Sequence, residues 1–210
     1  MAYLIAAAIA VVVMVATYLV WIRPWHLRWG ATEEESATAM VGDDIVARPH
    51  FAATRAVTVE APPQAIWPWL VQMGFWRAGW YSYDWIDHLG KASARRIIPA
   101  LQCLKAGDVI PFTPKGILGM RVIGLEPNRW MLWQDKRDGG TWLWRLDPLG
   151  ESRTRLIARR RIRYRWNSPW VIYQLLQDVA DIVMMRKCLL GIKARAESAP
   201  QPDGRRCEQD

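Results

Sequence analysis

Cysteine and histidine are scarce in this chain, three of each in 210 residues, and neither is spaced for chemistry. Cys103, Cys188 and Cys207 make no CxxC pair. A thiol zinc site and a disulfide framework are therefore not expected, which fits a reducing compartment. His26, His50 and His88 make no HxxxH or HExxH pattern, so no metal site is expected, and no cofactor. Charge is missing from residues 2–22, and acidic side chains are missing from residues 153–165. Phenylalanine and tyrosine are few, 3 and 6, against 14 tryptophans, an excess of the residue with the largest rigid apolar face.

The uncharged stretch at 2–22 is long enough, as a helix of roughly 32 Å, to match the hydrocarbon thickness of a bilayer. It reads as a transmembrane anchor. The rival is a cleaved signal peptide, which would carry a basic n-region, a shorter apolar run and a small-residue cleavage pattern that "TYLVWIRPW" lacks. Trp21, Trp25 and Trp29 sit where an interfacial belt would be. Arg23, His26 and Arg28 follow the span and place its C-terminal side, and the rest of the chain, in the cytoplasm.

Lys plus Arg outnumber Asp plus Glu by 28 to 20, a net charge of +8. The seven arginines of 153–165 account for nearly all of it. In a tethered domain such a patch reads as attraction to anionic headgroups, with Arg155, Arg159, Arg161, Arg163 and Arg165 as the basic face. Nucleic acid is not expected as a partner, because no helix-turn-helix, zinc-finger or RNP-type motif accompanies the patch.

Four parts follow along the chain. Residues 1–22 are the anchor, and 23–52, with an acidic, polar stretch from residue 30 that shows no apolar period, are a juxtamembrane segment and linker. Residues 53–197 form the globular domain, and 198–210 a disordered tail. "TRAVTVEAPP" alternates as a half-buried strand. "PPQAIWPWLVQMG" places Ile66, Trp67, Leu70 and Val71 at helical spacing between a proline start and the Gly74 stop, with Pro68 awkward inside. Residues 107–166 hold four or more antiparallel strands, with turns at 114–116, 126–128, 138–140 and 147–151. In the last strand Leu156, Ala158, Arg160, Ile162 and Tyr164 share one face, and Arg160 is the exception on it. Ser168 and Pro169 then open one long helix over 170–197, in which Asp178, Asp181, Arg186 and Lys187 exclude a second span.

The stretches "RAVTVEAPPQAIWPWLVQMG", "RAGWYSYDWIDHLG" and "GTWLWRLDPLGESRTRLIARRR" with the closing helix resemble the START-like superfamily, also called SRPBCC. The likeness is to its polyketide cyclase/dehydrase and lipid-transport branch, and to a membrane-anchored bacterial subgroup of it. The resemblance implies an α+β helix-grip fold, an antiparallel sheet wrapped around the long C-terminal helix. It also implies an apolar cavity between them for a hydrophobic small molecule or lipid. It implies no reaction, so a binder or transporter and a cyclase- or dehydratase-type enzyme both stand.

"GWYSYDWIDH", residues 79–88, is the densest cluster of candidate site residues. Asp84 and His88, four apart, could share a helix face as an acid/base pair, with Tyr83 beside them. The bland alternative has Ser82 or Asp84 capping a helix while Asp87 and His88 face solvent. Trp80, Tyr81 and Tyr83 are expected to line the cavity, with Trp142 and Trp144 from one strand face and Leu176, Val179 and Val183 from the apolar side of the helix. Arg160, if inward, needs an acid or a ligand carboxylate or phosphate.

Overall fold

Alternation along the strands sets the two faces of one sheet. The computed structural model describes residues 1–113, 116, 118–137 and 139–198. Six strands, β1 (Phe51–Val59), β2 (Val109–Pro111), β3 (Gly119–Glu126), β4 (Trp130–Asp135), β5 (Thr141–Pro148) and β6 (Thr154–Ile162), pair antiparallel in the order β1-β6-β5-β4-β3-β2. The turns expected at 126–128 and 147–151 join β3 to β4 and β5 to β6. Those at 114–116 and 138–140 include residues outside the described ones, as does the tail from residue 199. On the concave face Val57, Val59, Trp133, Trp142, Trp144, Leu156 and Ala158 form the main core with the C-terminal helix.

The helices punctuate this sheet. An N-terminal helical rod runs through α1 (Ala2–Thr17), a π-helical turn (Tyr18–Ile22) and α2 (Arg23–Leu27). Then come α3 (Glu33–Ala37), α4 (Pro63–Val71), the single turn α5 (Asp84–Asp87) and α6 (Trp170–Ser198). Helix α4 starts on Pro63 as expected, keeps Pro68 inside and stops before Gly74. The sheet order and the long closing helix are a helix-grip arrangement.

Two sequence readings change. The segment read as a linker is packed structure. Residues 28–31 cross the edge of β1, where the Ala56 N–H donates to Trp29 O, and α3 begins with a capping box between Thr32 and Glu35 on the convex side. Met40 there joins Ala56, Leu132, Leu143 and Ile157 in a second apolar cluster. Composition misleads because the segment's acids serve partners distant in sequence.

Those partners are the arginines read as a membrane-facing surface. Arg155 donates to both Glu35 carboxylate oxygens at 2.6 and 2.9 Å. Arg159, buried, donates to Asp43 at 2.6 Å, to Thr54 Oγ1, and to the backbone oxygens of Glu35, Ser36 and Thr38. Arg161 meets Asp43 at 3.3 Å and Val46 O at 3.1 Å. Only Arg163 and Arg165 of the five remain exposed. Arg159→Ala is expected to lower stability by about 3 kcal/mol, because it leaves three carbonyls without their donor and removes one of the two guanidiniums on Asp43, whereas Arg163→Ser should cost less than about 0.5 kcal/mol. Denaturant unfolding of the two variants checks the contrast, and equal losses would refute the clamp.

Candidate ligand cavity

The concave sheet and α6 do not meet along their whole length. Between them lies a cavity of about 400 Å³. Its sheet-side wall is aromatic. Trp142 is stacked nearly parallel to Trp80 with ring centres 6.1 Å apart, and Phe112 meets Trp80 edge-on at 4.9 Å. Trp80 belongs to the 79–88 stretch, whose backbone is held in shape by left-handed Gly79 and Tyr81. Tyr81 accepts that conformation because its ring is locked: its hydroxyl donates to Trp69 O at 3.1 Å and accepts from Gln72 Nε2 at 2.9 Å.

Polar groups stand at two places on the wall. Arg160 points inward, so the face assignment in β6 holds, and its partner is a protein acid. It donates to Asp181 at 2.6 Å while its guanidinium lies 5.6 Å from the Trp142 ring centre. Arg55 from β1 donates to the other oxygen of Asp181. Burial would raise the Asp181 carboxyl, but the two guanidiniums outweigh it and hold it below the usual carboxylate range. The indole N–H of Trp142, buried and bordering the cavity, has no hydrogen-bond partner in the protein.

The second polar group is Asp87. Its oxygens are buried and neither accepts a well-formed hydrogen bond, while the neighbouring Ser82 hydroxyl donates to Met184 O. Burial, helped by the Asp84 charge and opposed weakly by its own N–H and Ser82, pushes Asp87 up to about 6. Cys188 also lines the cavity, but burial raises its thiol, so it is no thiolate nucleophile.

Of the residues expected to line the cavity, Trp80, Trp142 and Arg160 do so. Tyr81 and Trp144 are buried behind the wall in the core, and Tyr83 lies outside the lining under Lys187. Leu176, Val179 and Val183 point away, 67%, 53% and 52% exposed. The helix turns Tyr173, Gln177, Ala180, Asp181 and Met184 to the cavity instead. The acid/base pair does not form. Asp84 accepts from the Ser93 hydroxyl at 2.5 Å and its N–H at 3.0 Å, and its role is to tie the loop. His88, far from facing solvent, is buried against Phe75 and Trp76 with both ring nitrogens unpartnered, outside the cavity. Sequence reasoning missed Asp87 as a site residue because a single carboxylate carries no pattern. Among the described residues no cluster of His, Cys, Asp and Glu could hold a metal ion.

No family model and no curated protein matches this sequence. Several solved structures are similar to parts of it. A polyketide cyclase-like protein from Corynebacterium glutamicum is 17% identical over 68% of this chain and 88% of its own, with a TM-score of 0.43. The Aha1 dimer from Colwellia psychrerythraea is 18% identical over 70% and 96%, at 0.42. A protein from Thermobifida fusca is 16% identical over 69% and 92%, at 0.45. At these values nothing about ligand or activity passes to this chain, and the functional argument rests on the cavity.

Asp87 gives a pH test. The folded protein holds this proton more tightly than the unfolded chain, so the group's contribution is full below about pH 4 and is lost as pH rises through about 6. Asp87→Asn removes that loss. Its expected gain over wild type is about 1 kcal/mol above pH 7, the full shift being discounted for partial burial, with little difference below about pH 4. Thermal unfolding at the two pH values checks it, and a variant less stable at both would mean that the carboxylate is satisfied in the fold.

Proposed function

We propose that the protein is a membrane-anchored binder of a hydrophobic small molecule or lipid. The observation that carries this reading is the aromatic-walled cavity, of a size and apolar character typical of small-molecule sites, with a few convergent polar groups. Arg160 and the Trp142 N–H supply donors for an oxygen-bearing group of the ligand, and Asp87 an acceptor or, when protonated, a donor. The anchor is residues Tyr3–Leu27, a helix long and apolar enough to cross a bilayer. Arg23 near the C-terminal end of that helix and Arg28 just past it support the reading that the domain faces the cytoplasm.

A second reading, a cyclase- or dehydratase-type enzyme on the same cavity, is favoured by one observation. Asp87 is a carboxyl group with a raised pKa on an apolar wall, which is the form a general acid or base takes near neutral pH. In this reading Asp87 takes the place of Tyr83, Asp84 and His88.

The test is mass spectrometry of organic extracts from the purified full chain and from Ala180→Trp, which plugs the cavity from an exposed position. A hydrophobic compound enriched with the wild type and absent from the variant is expected. Equal content in both would remove the cavity from the function. Topology is checked separately with a reporter fused after Asp210, expected to read as cytoplasmic, and an outside readout would reverse the orientation.

A further inference from the structure

Helix α6 is inside out over its first half. Gln174, Asp178 and Asp181 are buried, while Ile172, Leu175, Leu176, Val179 and Val183 are exposed. The exposed five recur three and four residues apart, so they form one apolar stripe. A stripe of this kind on the outside of a folded domain marks a surface that meets something apolar.

Three observations identify what it meets. The apolar N-terminal helix ends against this part of α6, where Arg23 donates to Asp178 at 2.9 Å. Exposed Trp21 and Trp25 flank Arg23 on that helix, where an interfacial aromatic belt would lie, so the ion pair brings the α6 stripe to the level of the belt. The charge around the stripe has one sign. The acids within residues 152–196 are Asp178 and Asp181, both buried, whereas Arg163, Arg165, Arg186 and Lys187 are exposed before and after the stripe. Trp166, exposed, precedes it. Tyr173, exposed and next to Ile172 of the stripe, lines the cavity together with the exposed Ile86 and Leu89, so the cavity reaches the surface beside the start of the stripe.

We propose that the apolar stripe of α6 lies in the headgroup–acyl boundary of an anionic bilayer, and that the cavity exchanges its ligand directly with that bilayer. The proposal rests on the anchored-binder reading. The apolar face enters the boundary, the arginines and lysine meet anionic headgroups, and a hydrophobic ligand passes between acyl chains and cavity without crossing water. This surface is distinct from Arg155, Arg159 and Arg161 on the convex face, whose charges are taken up by Glu35 and Asp43.

The test uses the full chain in vesicles of phosphatidylcholine and phosphatidylglycerol, with p-benzoylphenylalanine placed singly at four exposed positions. Leu176 and Val179 report the stripe, Trp21 the apolar helix, and Leu149, in the turn between β5 and β6, the far end of the sheet. After irradiation, intact-mass measurement is expected to show a shift of one phospholipid at Leu176, Val179 and Trp21, and no shift at Leu149. A lipid adduct at Trp21 with none at Leu176 and Val179 would overturn the docking while leaving the anchor. No adduct at Trp21 would overturn the anchor reading and the docking with it. Crosslinks from Leu176 or Val179 to a second copy of the chain, or equal lipid labelling at Leu149, would also overturn the proposal.

Discussion

One carboxylate, that of Asp181, receives guanidiniums from two strands, Arg55 on β1 and Arg160 on β6. A buried acid with two cations is stable only while all three are present. Removing one member of such a group costs about 3–5 kcal/mol, because the others are left charged and dry. The group fixes the rotation of α6 about its own axis. With Asp181 held toward the sheet, Gln174 and Asp178 also turn inward, and the leucines and valines between them have no direction left but outward. The cluster carries two positive charges against one negative. Part of the surplus is met by the electron-rich face of Trp142 under Arg160, and both residues stand on the cavity wall.

One turn earlier, Asp178 makes the second rung. It accepts from Arg23 and from the Tyr164 hydroxyl at 2.6 Å, while Arg55 also donates to His26 O. The apolar helix is therefore joined to the domain through the same polar seam that orients α6, and is not strung from it by a loose tether. Past Leu27 the chain rounds the β1 edge and lies on the convex face, pinned there by Arg155, Arg159 and Arg161. An uncovered edge strand would offer a row of free backbone groups to other chains, and the wrap removes that hazard. Arg155, Arg159 and Arg161 thus serve the fold, and the positive charge left exposed in this part of the chain is that of Arg163, Arg165, Arg186 and Lys187.

Sheet alternation was legible because a period of two with one buried face leaves little choice. The faces of β5 and β6 follow directly from Trp142, Trp144, Leu156 and Ala158. The phase of α6 was not legible. Its apolar positions mark a stripe correctly, but hydrophobic pattern alone cannot tell a face turned to the core from a face turned outward. The signal that could have separated them was the unpaired inventory: Arg160 on an apolar strand face, and Asp178 and Asp181 one turn apart on the helix. The linker reading failed in the same manner. Glu35 and Asp43 on one side and an acid-free row of arginines on the other are two halves of one interface, visible only when matched. In the 79–88 stretch the clustering of aromatics pointed to the cavity wall, yet spacing singled out Asp84, which ties the loop, and His88, which packs against Phe75 and Trp76, over Asp87, which has no partner to announce it.

The cavity follows from a change in how α6 packs along its length. Toward the C-terminal end Leu189 and Ile192 are fully buried, and Gly191 lets the backbone of Tyr81 come so near that a Cβ there would meet Tyr81 O at 2.1 Å. Arg195 closes that end by lying over the Tyr81 ring at 4.5 Å and donating to Ala94 O. Toward the N-terminal end the contact between helix and sheet is made by Arg160 and Asp181, long polar side chains that reach across a gap, and small Ala180 does not fill it. A helix held tight at one end and at the length of an ion pair at the other leaves a wedge of space. Trp80, Trp142 and Phe112 line its sheet side, and exposed Tyr173, next to Ile172 of the apolar stripe, lines its helix side. The polar seam that turns the leucines and valines of α6 outward is also what keeps the cavity from collapsing, so the cavity and the exposed face are two results of the same buried charges.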